Sequence, residues 1–371
     1  MEGPGAMTDL LYTEEENDLR AAVRSLLADR ADPAALPGRV EESSPYDAAL
    51  WQALAADMGA AGLLVPEKLG GQGATHREAA VVLEELGRAV APVPYLTSSV
   101  VATETLLALD AGDSYARDLL AELATGRKVA VLAVPLAAGP GDEPGATGTV
   151  SAGSVSAVAD AVRADVLLVP RPDGLYAVDA AEAEVVPQTP LDLTRPLATV
   201  TVADGGSRLA DAAAARAAVR RGLLAGAGLL ASEQLGVAEW CLEETVRHTR
   251  ERHQFNRPVG SFQALKHRMA KLWLDVAGAR AAARSAADAL ATGSPDAPLA
   301  VAVAQVYCSR VAVRAAEECV QLHGGIGMTW EHPAHLFLKR AKADQIALGS
   351  AGHHKRTLAE LVDLPAPGAA R

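Results

Sequence analysis

Between Arg221 and His253 apolar or small residues recur at Leu224, Ala227, Ala231, Leu235, Ala238, Leu242 and Val246. That three-or-four spacing predicts a helix packed on one side. From Gly222 to Ala238 the stretch is apolar nearly all round, with Glu233 as its only acid, so this half belongs inside a bundle. The second half carries Glu243, Glu244, Arg247, His248, Arg250, Glu251 and Arg252 and should emerge before a loop shaped by Pro258 and Gly260.

Upstream, Thr13 and Glu16 stand in capping-box register before Leu19, Val23, Leu26 and Leu27, which predicts a helix over 13–30. Further helices are expected over 45–58, 77–90, 98–109 and 115–125. Gly62 to Glu67 reads as an extended apolar run stopped at Pro66, followed by a tight reversal at Gly70-Gly-Gln-Gly73. That reversal lacks the Lys-Ser/Thr of a phosphate loop. After Gly126 the pattern changes to short β-rich runs at 129–134, 154–158, 166–169, 175–178 and 198–202. Helical periodicity then returns, with a helical linker at 209–218 and long helices over 262–291 and 297–322 and a last one over 345–361. The fold class is therefore mainly α with a small β domain: an N-terminal helical domain over 1–125, a middle β domain over 126–208 and a C-terminal helical bundle over 209–371.

With 371 residues, half of them hydrophobic, the chain can build a large core. A net charge of -12 argues against nucleic acid or an anionic membrane surface as partner. Cys241, Cys308 and Cys319 show no CxxC or CxxH spacing, so neither a disulfide framework nor a structural zinc site is expected, nor any other metal. The N-terminus has no basic, apolar leader, and no stretch reads as a long uncharged span; a cytoplasmic protein is expected.

Arg252-His-Gln-Phe255 with Phe262-Gln263, and Gln321-Leu-His-Gly-Gly-Ile-Gly327 with Glu331-His-Pro333, resemble the two C-terminal signatures of the flavin-dependent acyl-CoA dehydrogenase family. Leu63-Leu-Val-Pro-Glu67, Glu84-Glu-Leu-Gly-Arg88 and Leu191-Asp-Leu-Thr-Arg-Pro196 extend the resemblance nearly end to end. It implies FAD, an acyl-CoA substrate, desaturation between Cα and Cβ of the thioester, and an electron-transfer flavoprotein as acceptor. It implies too that Arg252, Phe255, Gln263, Gln321, Gly324 and Gly325 reach the flavin of a neighbouring subunit. Glycines that allow close backbone approach and an arginine that neutralises charge suit a diphosphate.

The same resemblance exposes two gaps. The usual seat of the catalytic carboxylate matches Leu348, and the alternative seat at the start of the organising helix matches Gly226. Neither accepts a proton. Glu233 is the remaining candidate on that helix, seven residues or ~10 Å beyond Gly226 on the same face. In apolar surroundings its pKa should rise, suiting a base or a polar anchor, unless a neighbouring helix satisfies it as a core acid. Where members holding their own flavin carry a polar strand and turn, this chain has Val134-Pro-Leu-Ala-Ala-Gly139. His353-His-Lys-Arg356 could meet a phosphate or be a solvated charge run. The expected protein is a subunit of a heteromeric acyl-CoA dehydrogenase that completes a homologous partner's flavin site, as in two-gene members acting on steroid side-chain CoA thioesters. The alternatives are a self-sufficient enzyme using Glu233 and a non-catalytic protein on this fold.

Overall fold

In the computed structural model, which describes residues 9–31, 38, 46–109, 114–142, 153–203 and 205–364, Thr13 caps α1 (Glu14–Arg30). Its hydroxyl accepts the Glu16 N–H while the Glu16 carboxylate accepts the Thr13 N–H, which satisfies two donors left over at the helix start. α2 (Ala48–Gln52) widens into a π turn over Ala53–Asp57. α3 (His76–Ala89) starts behind a second capping box, Thr75 with Glu78. α4 (Thr103–Leu107) continues a π-helical run over Tyr95–Ala102, and α5 covers Ser114–Ala124.

The run from Gly62 to Glu67 departs from the extended reading: it is folded into short 3-10 turns at Ala60–Gly62 and Glu67–Leu69. The glycine reversal folds back across it, so that Gln72 and Gly73 donate to the carbonyls of Gly62 and Val65 at 2.9 Å each. A Cβ on Gly71 would stand 2.0 Å from the Val65 carbonyl oxygen. The returning backbone takes the carbonyls that a sheet partner would have used.

Among the described residues the middle layer holds seven strands: β1 (Ala130–Leu132), β2 (Ser154–Ala159), β3 (Val166–Arg171), β4 (Gly174–Asp179), β5 (Ala183–Gln188), β6 (Leu197–Val202) and β7 (Ser207–Asp211). They form one sheet in the order β1-β3-β4-β7, parallel only at β1/β3, and an antiparallel sheet in the order β2-β6-β5. β5 and β7 carried too few buried apolar positions to announce themselves, and β7 takes the β layer past the expected boundary at 208.

Asp211 then caps α6 (Ala212–Glu251), accepting the N–H groups of Ala213 and Ala214. The alanine-rich segment is the first turns of that single 40-residue helix. A two-strand hairpin, β8 (His253–Gln254) and β9 (Arg257–Pro258), leads to α7 (Gln263–Ala291), α8 (Ala297–His323), α9 (Ala334–Asp344) and α10 (Ala351–Leu361). α6 packs against α3, α7 and α8 and forms the centre of the molecule. Its crossing with α3 is a backbone contact: a Cβ on Gly87 would lie 2.1 Å from the Glu233 carbonyl oxygen, and one on Gly236 1.9 Å from that of Glu84. Only glycine permits this approach.

The span Ala297–Met328, which is α8 with the turn after it, is long and apolar enough to cross a membrane by length and composition, and 61% of its most apolar window is buried inside the bundle, as befits a core helix.

Candidate functional site

The two seats that the resemblance assigns to a base meet each other. A Cβ on Gly226 would stand 3.1 Å from Leu348 Cδ1 and 2.5 Å from Val101 Cγ2. Leu348 is only 5% exposed and adopts φ +52°, a conformation costly for a branched side chain. Backbone contacts on both sides hold it there. Its N–H donates to the Leu136 carbonyl at 2.7 Å, and its own carbonyl accepts from His354 Nε2 at 3.0 Å. Burial pulls His354 down to about 4, so this imidazole is neutral at ordinary pH. The cavity left among Thr97, Val101, Leu136, Leu223 and Leu348 measures about 30 Å³, room for about two waters. Neither a flavin ring nor an acyl chain fits it.

The segment over 134–139, where a polar flavin contact was missed in the sequence, is fastened onto α10. His353 Nε2 lies 3.2 Å from the Pro140 carbonyl oxygen, and a Cβ on Gly139 would lie 2.7 Å from that nitrogen. Of the His353–Arg356 run, His354 is buried, His353 faces the β layer, and Lys355 and Arg356 are exposed. The run does not act as one phosphate-binding unit.

Glu233 does not sit in apolar surroundings, and its pKa is not raised. It accepts from Arg195 Nη2 at 2.6 and 2.8 Å and from Arg340 Nη1 at 2.5 Å. Arg195 also donates to Asp344 at 2.6 Å, and Arg340 to Asp192 and to Thr194 Oγ1. Burial pushes the Glu233 carboxyl up, but the two guanidinium groups outweigh it and hold the value below the ordinary one. Asp344 takes the opposite course: burial and the Glu233 charge push it up to about 7 against the pull of both arginines. This cluster ties the turn between β5 and β6 to α6 and α9. Sequence reasoning missed Arg195 and Arg340, although Leu191–Pro196 was noticed as a motif.

At the far end of α6 the arrangement is open. Arg252 follows the helix with its side chain exposed. Phe255 and Asn256 form the hairpin tip with φ +52° and +60°, the pair of positive values that a two-residue turn of this kind requires. Phe255 is 84% exposed and meets Phe262 edge-on at 6.1 Å. Gln263 is exposed at the start of α7. On the second segment Gln321 and Gly324-Gly325 lie exposed at the end of α8, Gly324 with φ +66°. A Cβ on either glycine would meet nothing within 4 Å. Free backbone of this kind lets a dinucleotide diphosphate approach closely. The two segments are joined underneath, where the rings of His248 and His323 lie 4.2 Å apart.

A helical layer, a β layer and a helical bundle ending in an open glycine cradle form the fold of a flavin-dependent oxidoreductase acting on acyl-CoA. The chain belongs to the acyl-CoA dehydrogenase family: residues 13–127 match the model of the acyl-CoA dehydrogenase N-terminal domain and residues 194–362 that of the C-terminal domain. It is 36% identical to the acyl-CoA dehydrogenase IpdE2 of Mycolicibacterium smegmatis, over 93% of this chain and 98% of that protein. Among solved structures it resembles a chain of the ChsE4-ChsE5 complex from Mycobacterium tuberculosis, with 28% identity, a TM-score of 0.84 and coverage of 97% and 100%. It also resembles a chain of a variant of the Tcur3481-Tcur3483 steroid acyl-CoA dehydrogenase, with 29% identity, a TM-score of 0.81 and coverage of 94% and 98%.

Proposed function

We propose that this chain is the base-less subunit of a heteromeric FAD-dependent acyl-CoA dehydrogenase. The observation that carries the proposal is the meeting of Gly226, Val101 and Leu348 around a cavity of about 30 Å³. Both seats for a carboxylate are empty of acid, and their space is filled by this chain's own side chains. Bound FAD supplies the hydride acceptor. This chain's part is to hold the diphosphate through Arg252 and the Gly324-Gly325 backbone, with Gln321, Gln263 and Phe255 around the rest of the nucleotide. The partner, a chain of the same fold, brings the proton acceptor and the acyl pocket. A CoA thioester of steroid size is favoured by likeness to the steroid-acting relative. Glu233 is a structural ion in this reading, because both of its oxygens are taken by guanidinium groups.

An absorbance spectrum tests the proposal. The chain purified alone is expected to be colourless and inactive. The complex isolated from its own cells through a tag on this chain is expected to be yellow and to bleach on adding an acyl-CoA. Stoichiometric flavin in the lone chain, reduced by an acyl-CoA, would overturn it.

A further inference from the structure

Beneath the Gly324-Gly325 turn lies a cluster with no role assigned so far. Glu244 and His248 stand one turn apart on α6, His323 is the last residue of α8, and His332 lies just before α9. Glu244 Oε1 is 3.6 Å from His323 Nε2 and 3.4 Å from His332 Nε2. The rings of His323 and His332 lie 4.3 Å apart.

Backbone contacts assign the protons. The Cys319 carbonyl, 2.7 Å away, takes the Nδ1–H of His323, so Nε2 is the nitrogen turned to Glu244. His332 Nδ1 accepts the Ala334 N–H at 3.2 Å, so its Nε2 carries the proton and donates toward Glu244. A lone pair on His323 Nε2 would be fully buried, opposite a carboxylate and without a hydrogen-bond partner. Such an arrangement is repulsive, and a second proton resolves it. The three donor atoms lie close enough to suggest a cation. Arg247, however, already covers both oxygens of Glu244 at 2.5 and 2.8 Å, and His332 offers a proton rather than a lone pair.

We propose that the Glu244–His323 ion pair positions the Gly324-Gly325 turn for the flavin diphosphate, with His323 acting as a buried cation at the end of α8. The inference rests on the function proposed above. Position agrees with it, because the carbonyl end of a helix favours a positive charge. The groups facing His323 are Glu244 and His248 from α6, Cys319 from α8, and His332, with Cys241 set against Cys319 and Arg247 on Glu244. Burial alone would depress His323, yet its contacts with Cys319 and Glu244 push it up to about 10. His248 is depressed by burial and by the charge on His323.

Three measurements test this. In the lone chain at pH 8, nitrogen-resolved NMR of the imidazoles should find protons on both ring nitrogens of His323; a neutral ring overturns the proposal. Amide exchange over residues 324–328 should accelerate about tenfold in His323→Gln and Glu244→Gln, the loss of one charge-assisted contact; unchanged exchange overturns it. The complex isolated through a tag on this chain should lose FAD about tenfold more readily when it carries either variant, and FAD retention by His323→Gln should be flat with pH. If the wild-type complex holds flavin and the variants hold it equally, the positioning role falls. If both lone-chain results appear but the wild-type complex holds no flavin, the failure lies with the proposed function and the positioning of the turn stands.

Discussion

The middle of α6 and its far end are built on opposite terms. Gly226 and Arg252 lie 26 residues apart, or about 39 Å along the helix. Around Gly226, side chains from the π-helical run before α4, the β layer and the Leu348 turn fill the space left by a missing carboxylate. Around Arg252, polar groups and bare glycine backbone stay open, and an aromatic ring stands in solvent on a strained turn. A chain serving its own substrate would be expected to keep the first region open and could let the second close. The reversed arrangement is what a subunit needs when its partner owns the reacting centre. The ion cluster at Glu233 lies on the same helix, between these two regions.

Removing Glu233 is expected to have the largest effect. Glu233→Ala leaves Arg195 and Arg340 facing each other and Asp344 in a buried site, and should cost about 3–5 kcal/mol. Denaturant unfolding of the lone chain measures it. A loss of activity in the complex with no change in stability would instead make Glu233 a base, and would break the contrast between the two regions.

Leu348→Glu restores an acid to its usual seat. With so little free volume, it is expected to destabilise the chain by about 3 kcal/mol and to leave it unable to reduce flavin with an acyl-CoA. Unfolding curves and an anaerobic flavin-bleaching assay check both parts. Activity appearing in the lone variant would show that the seat opens and that closure was not the second barrier.

Asp344 gives a pH dependence with a definite sign. Its folded value of about 7 lies above the ordinary 3.8, so the folded state holds this proton more tightly. The stability it confers is full below about pH 4 and is lost as pH rises through about 7. Asp344→Asn cannot titrate and should be flatter across that window, by on the order of 2 kcal/mol, since the titration is shared with Glu233. Melting temperatures at pH 5 and pH 8 compare the two chains. Equal slopes would mean that Asp344 stays ionised, paired with Arg195.

Much of this could be read along the chain because it is local. Thr13–Glu16, the periodicity of α6 and the glycine reversal at 70–73 each need only a few neighbouring residues, whereas the seats at Gly226 and Leu348 rest on the family resemblance. What stayed hidden depends on distant ones. Glu233 meets Arg195 across 38 positions and Arg340 across 107, so its apolar sequence neighbours gave the wrong environment. β5 leaves Glu184, Pro187 and Gln188 exposed, and only its pairing with β6 makes it a strand. The small size of the cavity beside Leu348 was equally out of reach, because Val101 enters it from another domain.

The smallest expected effect is also the one with two signs. Phe255 carries a positive φ and 84% exposure, two unfavourable conditions for an aromatic residue in a lone chain. Strain held at such a position points to a use elsewhere. Asn tolerates the left-handed region and suits a two-residue hairpin turn, so Phe255→Asn should stabilise the isolated chain by up to about 1 kcal/mol. In the complex the same change removes the ring that is proposed to lie against the partner's nucleotide, and FAD retention should fall. Opposite signs in these two assays would mark the Arg252 end as shaped for another subunit. Destabilisation of the lone chain would mean that the ring supports its own fold, and the contrast between the two regions of α6 would weaken at that point.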